Sequence, residues 1–430
     1  ASLRLLVVLA IVATAAANFK SRPAQSRAYE YFKNRCPWAV QNSDEFPSSP
    51  WAIRRYTPMY DDNPTTAELF ANIDMTTDYY QSQIAWRNMM ESKIVEVIPG
   101  KIYQAEFFAL GWPVVFITPQ DTLIWVDAPE SAEAAEEQIA AFRAIPAIGN
   151  KRIEALVITL FHADHLWGMG PIVNDPNNQG ISPQIICHSE MVAESYLHDT
   201  FKAFKNPRLY KMFGAFLPEP PYLHNGAAPR IRLEGPYVIT EPVTDLLYFQ
   251  DLNSVQTRTI GGLELKFYPV PGYTKDQIIM WVEEYDTLHG SDTWYLGQPN
   301  LYTMRGEPAR DAFKWAAGTR KAASFNAEYL VVTHSFPMQG AEVIKATLTQ
   351  RADDIRYLHD QTVRYMYKGY PPDVIASAIP LPPRLSEGYG VADNSMRGIY
   401  DVYVGWFSGL AEDLFPVDRF ERGQKLIDMI

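Results

Sequence analysis

Cysteine is nearly absent from this chain, which has two, Cys36 and Cys187, among its 430 residues. A disulfide scaffold and a Cys-rich zinc site both need more thiols, so the sequence excludes both. The two residues could pair in an oxidising compartment, but their separation in sequence does not show whether their Cα atoms come close. A bridge between them therefore stays open.

Charge is also sparse, and the sequence has no basic stripe. Lys and Arg number 38 against 50 Asp and Glu, which gives a formal net charge of -12, and the basic residues are scattered. Nucleic acids and anionic membranes are bound by clustered basic residues, so the sequence argues against both partners. A hydrophobic content of 47% over 430 residues predicts a globular chain with a large core.

The N-terminus, in contrast, carries an almost unbroken apolar run, Leu3–Ala17, which ends in three alanines. This pattern predicts a signal peptide at residues 1–17 and a secreted, periplasmic or lumenal protein. A run of about 15 apolar residues is short for a bilayer span, but tilt or thinning accommodates it. A membrane anchor, with membrane association through residues 3–17, is the alternative.

The remaining chain divides into three parts. Residues 18–92 have little periodicity and predict an extended arm with one helix near Thr76–Glu91. Residues 93–345 alternate β-rich runs with helical patterns, which predicts an α/β domain, and residues 346–430 predict a separate helical region. The expected strands are Ile94–Ile98, Ile102–Phe107, Pro113–Thr118, Thr122–Val126, Ala155–Leu160, Leu263–Tyr268, Gln277–Glu284 and Tyr329–Thr333, and the expected helices include Ser131–Ile145, Ser189–Phe213 and Gly340–Tyr370.

Three potential metal ligands, His162, Asp164 and His165, lie within four residues of one another. They follow the apolar run Ala155–Leu160, and loops at the carboxyl ends of buried strands commonly bind ligands in α/β sheets. Two imidazoles and a carboxylate suit a divalent cation such as zinc. Polar residues hydrogen-bonded at a strand end are the alternative, and three together favour a metal site.

Three segments resemble a known family. Thr159–Gly168, TLFHADHLWG, resembles the HxHxDH motif of the metallo-β-lactamase superfamily and, more closely, the THxHxDH form of its alkylsulfatase branch. Asn300–Trp315 resembles the branch's NL-x-TLRG-x-x-x-RD segment, and Arg397–Phe407 resembles its RAIY-x-x-YLGWFDG segment. The likeness covers most of residues 55–430.

This resemblance implies an α/β fold, the metallo-β-lactamase αββα sandwich, with an N-terminal extended arm and a C-terminal helical region. Residues 346–430 would then be the start of the alkylsulfatase dimerisation region, in a shortened relative or a fragment. The resemblance implies a homodimer, and a subunit of a larger complex is the alternative.

The family's metal ligands carry over unevenly. The matching residues are His162, Asp164, His165, Asp292 and His334, whereas the first motif His falls on Leu160 and a later Glu or His falls at Tyr273-Thr274. The resemblance therefore implies one zinc ion, with the second site lost. Zinc lowers the pKa of a bound water and so provides a nucleophile at neutral pH.

Two residues are candidates for catalysis. His162, left without its metal partners, would transfer a proton or orient water. Arg305 matches an arginine that contacts sulfate in alkylsulfatases and would hold an anionic ester, although a surface salt bridge is an equal alternative. His289 lies three residues before Asp292 on what should be the same strand and could support the site indirectly. His188, His198, His224 and His359 fit core, surface or helix-end roles.

Two functions follow. The first is a metal-dependent hydrolase that cleaves a small anionic (sulfate) ester with a zinc-activated water. The second is a catalytically inactive pseudoenzyme that serves as a structural or binding subunit, since ligands are missing at two separate motifs. An active site should bring Asp164, His165 and His334 together beside Arg305, whereas a pseudoenzyme should fill or pair off those positions.

Overall fold

The computed structural model describes residues 55–56, 91–213, 241–295, 298–382 and 389–429. Their strands form two sheets, and the connections include both hairpins and parallel crossovers. The eight-stranded sheet contains, in spatial order, β1 (Arg55–Tyr56), β2 (Lys93–Ile98), β3 (Ile102–Glu106), β4 (Val114–Ile117), β5 (Leu123–Val126), β6 (Ile153–Ile158), β7 (Gln184–His188) and β8 (Asp245–Leu247). The six-stranded sheet contains β14 (Ser335–Gln339), β13 (Tyr329–Val332), β12 (Thr287–His289), β11 (Ile278–Val282), β10 (Leu263–Pro269) and β9 (Gln256–Ile260).

The two sheets pack face to face through alternate residues of their strands. Phe116 pairs with Ile124 in the β4–β5 register, and both belong to the apolar cluster that also contains Phe267 and Met280 of the second sheet. The intervening residue Trp125 points to the other face. Since side chains alternate across a strand, each sheet buries one face against the other sheet and one face against helices.

Helices cover both outer faces. The described helices are α1 (Ala132–Arg143), α2 (Ala163–Leu166), α3 (Met169–Val173), α4 (Met191–Thr200), α5 (Lys202–Met212), α6 (Ala312–Ser324), α7 (Ala341–Met366), α8 (Pro372–Ala378), α9 (Ala392–Val404), α10 (Ala411–Leu414) and α11 (Arg419–Asp428). Phe142 of α1 packs edge-on against Trp125 of the first sheet. Ala322 of α6 and Leu348 of α7 pack on Leu330 of the second sheet. The layers are therefore helix, sheet, sheet and helix, as the predicted αββα sandwich requires.

Local sequence explains where α1 begins. Ser131 is its N-cap, and the Ser131 Oγ accepts a hydrogen bond from the Ala134 backbone N–H at 3.1 Å. Glu133 in the first turn and Arg143 in the last turn complement the helix dipole. The predicted helix Ser131–Ile145 is thus confirmed to within a residue or two at each end.

Three predictions about where elements begin and end were wrong. Strand β6 ends at Ile158, two residues before Leu160, because the Thr159 N–H donates to the Asp127 side chain at 2.8 Å. The predicted helix Ser189–Phe213 is two helices, α4 and α5, which meet at Phe201. Asp292 does not share a strand with His289, because Ser291, at φ +50, turns the chain into a 3-10 turn.

The C-terminal helices share a core with the α/β part of the chain. Leu160 and Tyr273 lie in one apolar cluster with Ile355 of α7 and Met396 of α9. The predicted boundary at residue 345 falls inside α7, so this helix connects the two regions without a break. The division of the chain into domains otherwise stays a prediction.

Other predictions fall outside the described residues. They include residues 1–17, most of the arm 18–92, the helix Thr76–Glu91, His224 and Cys36. Cys187 lies buried on β7, so its pairing with Cys36 stays open. In the part of the chain that the structure describes, no helix combines the length and the apolar character that crossing a membrane requires.

Candidate metal site

Four predicted ligands from three chain segments meet at one edge of the sandwich. Asp164 and His165 lie on the short helix α2, Asp292 lies in the turn after β12, and His334 lies between β13 and β14. The His334 Nε2 lies 2.9 Å from the Asp164 Oδ2 and 3.4 Å from the Asp292 Oδ2, and the His165 Nε2 lies 3.5 Å from the Asp292 Oδ1. We call Asp164, His165, Asp292 and His334 the metal-ligand cluster.

Close backbone packing holds α2 in place. A Cβ atom at Gly111 would lie 2.1 Å from the Asp164 carbonyl oxygen, a separation that real Cβ contacts do not show. Only glycine therefore fits where the loop after β3 passes α2. This contact fixes the depth at which the Asp164 and His165 side chains enter the site.

Asp127 orients His165. The Asp127 Oδ2 lies 2.9 Å from the His165 Nδ1, and the same carboxylate accepts hydrogen bonds from the Thr159 N–H, the Thr159 hydroxyl and the Thr333 hydroxyl at 2.8 to 2.9 Å. Imidazoles that bind metals are commonly held this way by a carboxylate on the other ring nitrogen. The arrangement leaves the His165 Nε2 facing the cluster.

His334 is oriented through the backbone. Its Nδ1 lies 2.9 Å from the Leu110 carbonyl oxygen, so its Nε2 also faces the cluster. Glu130 in turn accepts hydrogen bonds from the Leu110 and Gly111 N–H groups at 3.0 to 3.2 Å. Burial raises the pKa of Glu130 to about 7, although these hydrogen bonds oppose the shift. Asp127 and Glu130, which the sequence analysis missed, both follow β5.

The cluster fits a divalent cation. Asp164, His165 and His334 each offer one ligand atom, and these atoms all lie within 4.8 Å of one another. Among the described residues, the His165 Nε2 and both Asp292 carboxylate oxygens are buried without a hydrogen-bond partner. Buried polar atoms are costly when unpaired, and nitrogen and oxygen donors of this kind suit zinc. These residues therefore have the chemistry and the placement of a zinc site.

The charges of the cluster explain its protonation. Burial lowers the pKa of His165, but the Asp127 and Asp292 carboxylates outweigh burial and raise it to about 10. The pKa of His334 also lies well above its ordinary value, because Asp292 and Asp164 outweigh burial. A metal ion binds the unprotonated imidazole, so metal binding here would release protons.

His289 lies beside the cluster without joining it. Its Nδ1 accepts a hydrogen bond from the Ser291 N–H at 3.4 Å, one residue before Asp292. Burial lowers the pKa of His289 to about 4, which keeps the ring neutral. The supporting role predicted for His289 is consistent with its place at the start of the turn that carries Asp292.

The other half of the expected site has a different composition. Leu160 is fully buried in the apolar cluster that contains Tyr273 and Trp315. His162 lies beside Tyr273, with ring centroids 5.2 Å apart, and its Nε2 lies 3.5 Å from the Glu307 Oε2. A leucine and an aromatic ring therefore stand where the resemblance implies metal ligands, beside the remaining motif imidazole of His162.

Glu307 is the centre of a buried ionic group. Its carboxylate accepts hydrogen bonds from the Arg305 Nε and Nη2, both at 2.8 Å, and lies 3.7 Å from the His198 Nδ1. The Lys205 Nζ lies 2.8 Å from the same His198 nitrogen. We call His162, His198, Lys205, Arg305 and Glu307 the arginine–glutamate cluster. The sequence analysis missed Glu307 and Lys205, and it gave His198 a core, surface or helix-end role.

Both candidate catalytic residues belong to the arginine–glutamate cluster. Burial lowers the pKa of His162, although Glu307 opposes the shift, so the ring is neutral near pH 7. Arg305 is buried, and its ion pair with Glu307 is therefore not the surface salt bridge considered from the sequence. The three residues whose ligand atoms converge do not include His162. The catalytic and metal roles of these two residues stay predictions.

A family profile matches the part of the sequence that forms this site. The profile of the Metallo-beta-lactamase superfamily matches residues 114–334, half of the chain, and this span includes all four residues of the metal-ligand cluster. The chain belongs to the metallo-β-lactamase superfamily. The αββα fold inferred from the TLFHADHLWG motif is thereby confirmed.

Curated relatives lie in the alkylsulfatase branch. This superfamily member is 32% identical over 325 residues to a linear primary-alkylsulfatase of Pseudomonas sp. (strain ATCC 19151), with 73% of this chain and 60% of the relative covered. It is 24% identical over 353 residues to an alkyl/aryl-sulfatase of Saccharomyces cerevisiae, with 77% and 52% covered. The chain thus spans between half and three fifths of the length of these relatives.

Solved structures agree on the fold. The structure of the stereoselective inverting sec-alkylsulfatase Pisa1 from Pseudomonas sp. superposes with a TM-score of 0.71 at 18% identity, covering 95% of this chain and 66% of that one. A double mutant of the sec-alkyl sulfatase PisA1 gives a TM-score of 0.74 at 19% identity, with the same coverage. The fold of the described residues is therefore similar to the fold of these two structures.

Proposed function

We propose that this protein is a metal-dependent hydrolase of sulfate esters that uses one zinc ion. The observation that carries the proposal is the convergence of Asp164, His165 and His334, with Asp292 beside them. A zinc ion held there would supply a water of lowered pKa, which is a nucleophile at neutral pH. The names of the curated relatives support a sulfate ester as the substrate class.

The residues of the chain have distinct roles in this proposal. Asp127 and the Leu110 carbonyl hold the two imidazoles in the orientation that exposes their Nε2 atoms. Arg305 binds the sulfate group through paired charge-assisted hydrogen bonds. His162, which is neutral at pH 7, can accept a proton or orient a water molecule.

Location and partners belong to the same proposal. The apolar run Leu3–Ala17 supports export, with a membrane anchor as the alternative. The likeness of Arg397–Phe407 to the alkylsulfatase dimerisation segment supports a homodimer. The proposed ligand is a small anionic ester, and the acidic net charge argues against nucleic acid.

A second candidate is a pseudoenzyme that binds metal without turnover. Leu160 and Tyr273 pack into the core where relatives carry ligands, and Glu307 already neutralises Arg305. These observations favour a protein that retains the fold as a binding or structural subunit. The two candidates differ in hydrolysis, and they share the metal-ligand cluster.

The deciding experiment measures zinc and hydrolysis on the same samples. Elemental mass spectrometry should find one zinc per chain in the wild type and little in the His165→Ala, His334→Ala double variant. The double variant His188→Ala, His359→Ala, which removes two histidines elsewhere, should keep the zinc. Release of inorganic sulfate from an alkyl sulfate, lost in the first double variant, supports the hydrolase.

Two other outcomes are informative. Stoichiometric zinc without sulfate release from alkyl and aryl sulfates would replace the hydrolase with the metal-binding pseudoenzyme. No zinc in the wild type after zinc loading would reject the metal site itself.

A further inference from the structure

The arginine–glutamate cluster lies in a cation-rich part of the chain. Arg305 is bonded to Glu307, and the positive charges of Arg310 and Lys205 also interact with the same carboxylate. All four side chains are buried or nearly so. Buried cations are stable only when anions compensate them, so the region has capacity for a further negative charge.

Arg310 supplies an unused hydrogen-bond donor. Its guanidinium stacks over the Tyr273 ring, 3.7 Å from the centroid, and its Nη1 donates to the Asn300 carbonyl oxygen. Among the described side chains, the Arg310 Nη2 is buried without a hydrogen-bond partner. Tyr273 also touches His162, so Arg310 lies one ring away from the arginine–glutamate cluster. A buried donor left unpaired is costly and is expected to find an acceptor when a ligand binds.

Glu307 engages Arg305 in the way that an oxyanion would. Two parallel hydrogen bonds, both 2.8 Å, join the carboxylate to the Nε and Nη2 of the guanidinium. Sulfate groups use the same paired geometry on the same edge of arginine. Glu307 and a sulfate ester therefore compete for one face of Arg305.

We propose that Glu307 is an internal competitor for the anion site, and that an anionic ester binds Arg305 by displacing the Glu307 carboxylate. The inference rests on the proposed function for its substrate class. Glu307 lies in a stretch without helix or strand, between the turn 304–306 and α6. Met304, in that turn, is exposed. The Arg310 Nη2 provides a second donor for the incoming anion.

The alternative is that Glu307 only positions Arg305. The two roles predict opposite results for Glu307→Gln, which keeps the shape of the side chain and removes its charge. A competitor, once neutralised, leaves Arg305 free for an external anion, so binding strengthens. A positioning residue, once weakened, leaves Arg305 misplaced, so binding weakens.

The test measures binding of inorganic sulfate to the full chain by isothermal titration calorimetry. Glu307→Gln should bind sulfate at least about tenfold more tightly than the wild type. Glu283→Gln removes the same charge from an exposed ion pair with a lysine of the second sheet, and it should leave the affinity for sulfate unchanged. Adding Arg305→Gln to Glu307→Gln should abolish the gain. Equal or weaker sulfate binding by Glu307→Gln overturns the proposal.

Two further measurements keep the test decisive. If Glu307→Gln does not fold, as judged by circular dichroism, Glu307→Asp replaces it, because the shorter side chain cannot keep both hydrogen bonds to Arg305. Tighter sulfate binding than wild type supports the proposal, and equal or weaker binding rejects it. Sulfate binding needs no turnover, so tighter binding without ester hydrolysis would remove the proposed function and leave this inference intact.

Discussion

The two halves of the expected bimetal site had different fates in this chain. The metal-ligand cluster has four residues with nitrogen and oxygen donor atoms, and its two imidazoles donate hydrogen bonds to the Asp127 carboxylate and the Leu110 carbonyl oxygen. On the other side, Leu160 and Tyr273 are packed into the core, and Glu307 pairs with Arg305 and His162. Apolar packing and an ion pair therefore occupy the positions where the resemblance implies two further ligands.

The comparison shows two ways in which neighbouring groups stabilise a buried imidazole. In the metal-ligand cluster, carboxylates raise the pKa of His165 to about 10, so the ring carries a charge that its neighbours balance. In the arginine–glutamate cluster, Arg305 holds the pKa of Glu307 well below its ordinary value, although burial opposes this, and His162 stays neutral. The metal-ligand cluster therefore has the donor atoms of a cation site, and we propose that the arginine–glutamate cluster accepts an anion.

The largest expected effect comes from Gly272, in the turn just before Tyr273 and Thr274. Gly272 has φ +143, and a Cβ atom there would lie 2.2 Å from the Trp315 backbone nitrogen. We expect Gly272→Ala to lower the free energy of unfolding by about 4 kcal/mol or more, because backbone must move. Urea denaturation followed by circular dichroism measures this. A loss near that of the open site Gly170→Ala would show that the turn is not under constraint.

The next effect tests the support of the metal-ligand cluster. The Asp127 carboxylate accepts hydrogen bonds from His165, Thr159 and Thr333, and Asp127→Asn replaces one of its acceptor oxygens with an amide donor. Zinc affinity should fall roughly 10- to 100-fold, since such partners orient the ligand and raise its basicity. Competition with a chromophoric chelator measures the affinity. Unchanged affinity would mean that His165 needs no orienting carboxylate.

A pH dependence should separate the halves further. Burial raises the pKa of Glu130 to about 7 in the folded protein, against 4.5 for an ordinary carboxyl, so the folded state binds this proton more tightly. The resulting stability is full below about pH 4.5 and is lost as the pH rises through 7. Between pH 5 and 8 the wild type should lose about 2 kcal/mol relative to Glu130→Gln. Urea denaturation of both proteins at a series of pH values tests this. The same change in the free energy of unfolding with pH in both proteins would contradict it.

The smallest expected effect concerns the replaced half. Leu160→His restores the first motif imidazole, yet Tyr273 and the Arg310 guanidinium stacked on it remain in place. We expect zinc to stay at one per chain by elemental mass spectrometry, with a stability loss of about 2 kcal/mol from the buried polar ring. A second zinc in this single variant would show that the half-site is intact apart from Leu160.

The sequence predicted much of the fold because the signals are local. The apolar runs of β4 and β5 and the helical pattern of Ser131–Ile145 were each visible within a few residues, and the structure confirmed those elements. The prediction that one strand carries both His289 and Asp292 was wrong. The chain turns at Ser291, whose backbone is left-handed, and serine is not a residue type that marks a turn of this kind. The extent of β6 was overestimated because Asp127 lies 32 residues from Thr159 in sequence.

The candidate site shows the same division. By itself the sequence determined the superfamily and the four residues of the metal-ligand cluster that the structure brings together, because motifs keep these residues at fixed spacing. Their role as metal ligands and the loss of ligands at Leu160 and Tyr273-Thr274 stay predictions. Only the tertiary structure decided what stands in the replaced half. Glu307 meets His162 across 145 positions of the chain, and His198 of α4 and Lys205 of α5 approach from two other elements. Ion pairs of this kind depend on how separate segments pack, and no local pattern of residues records them.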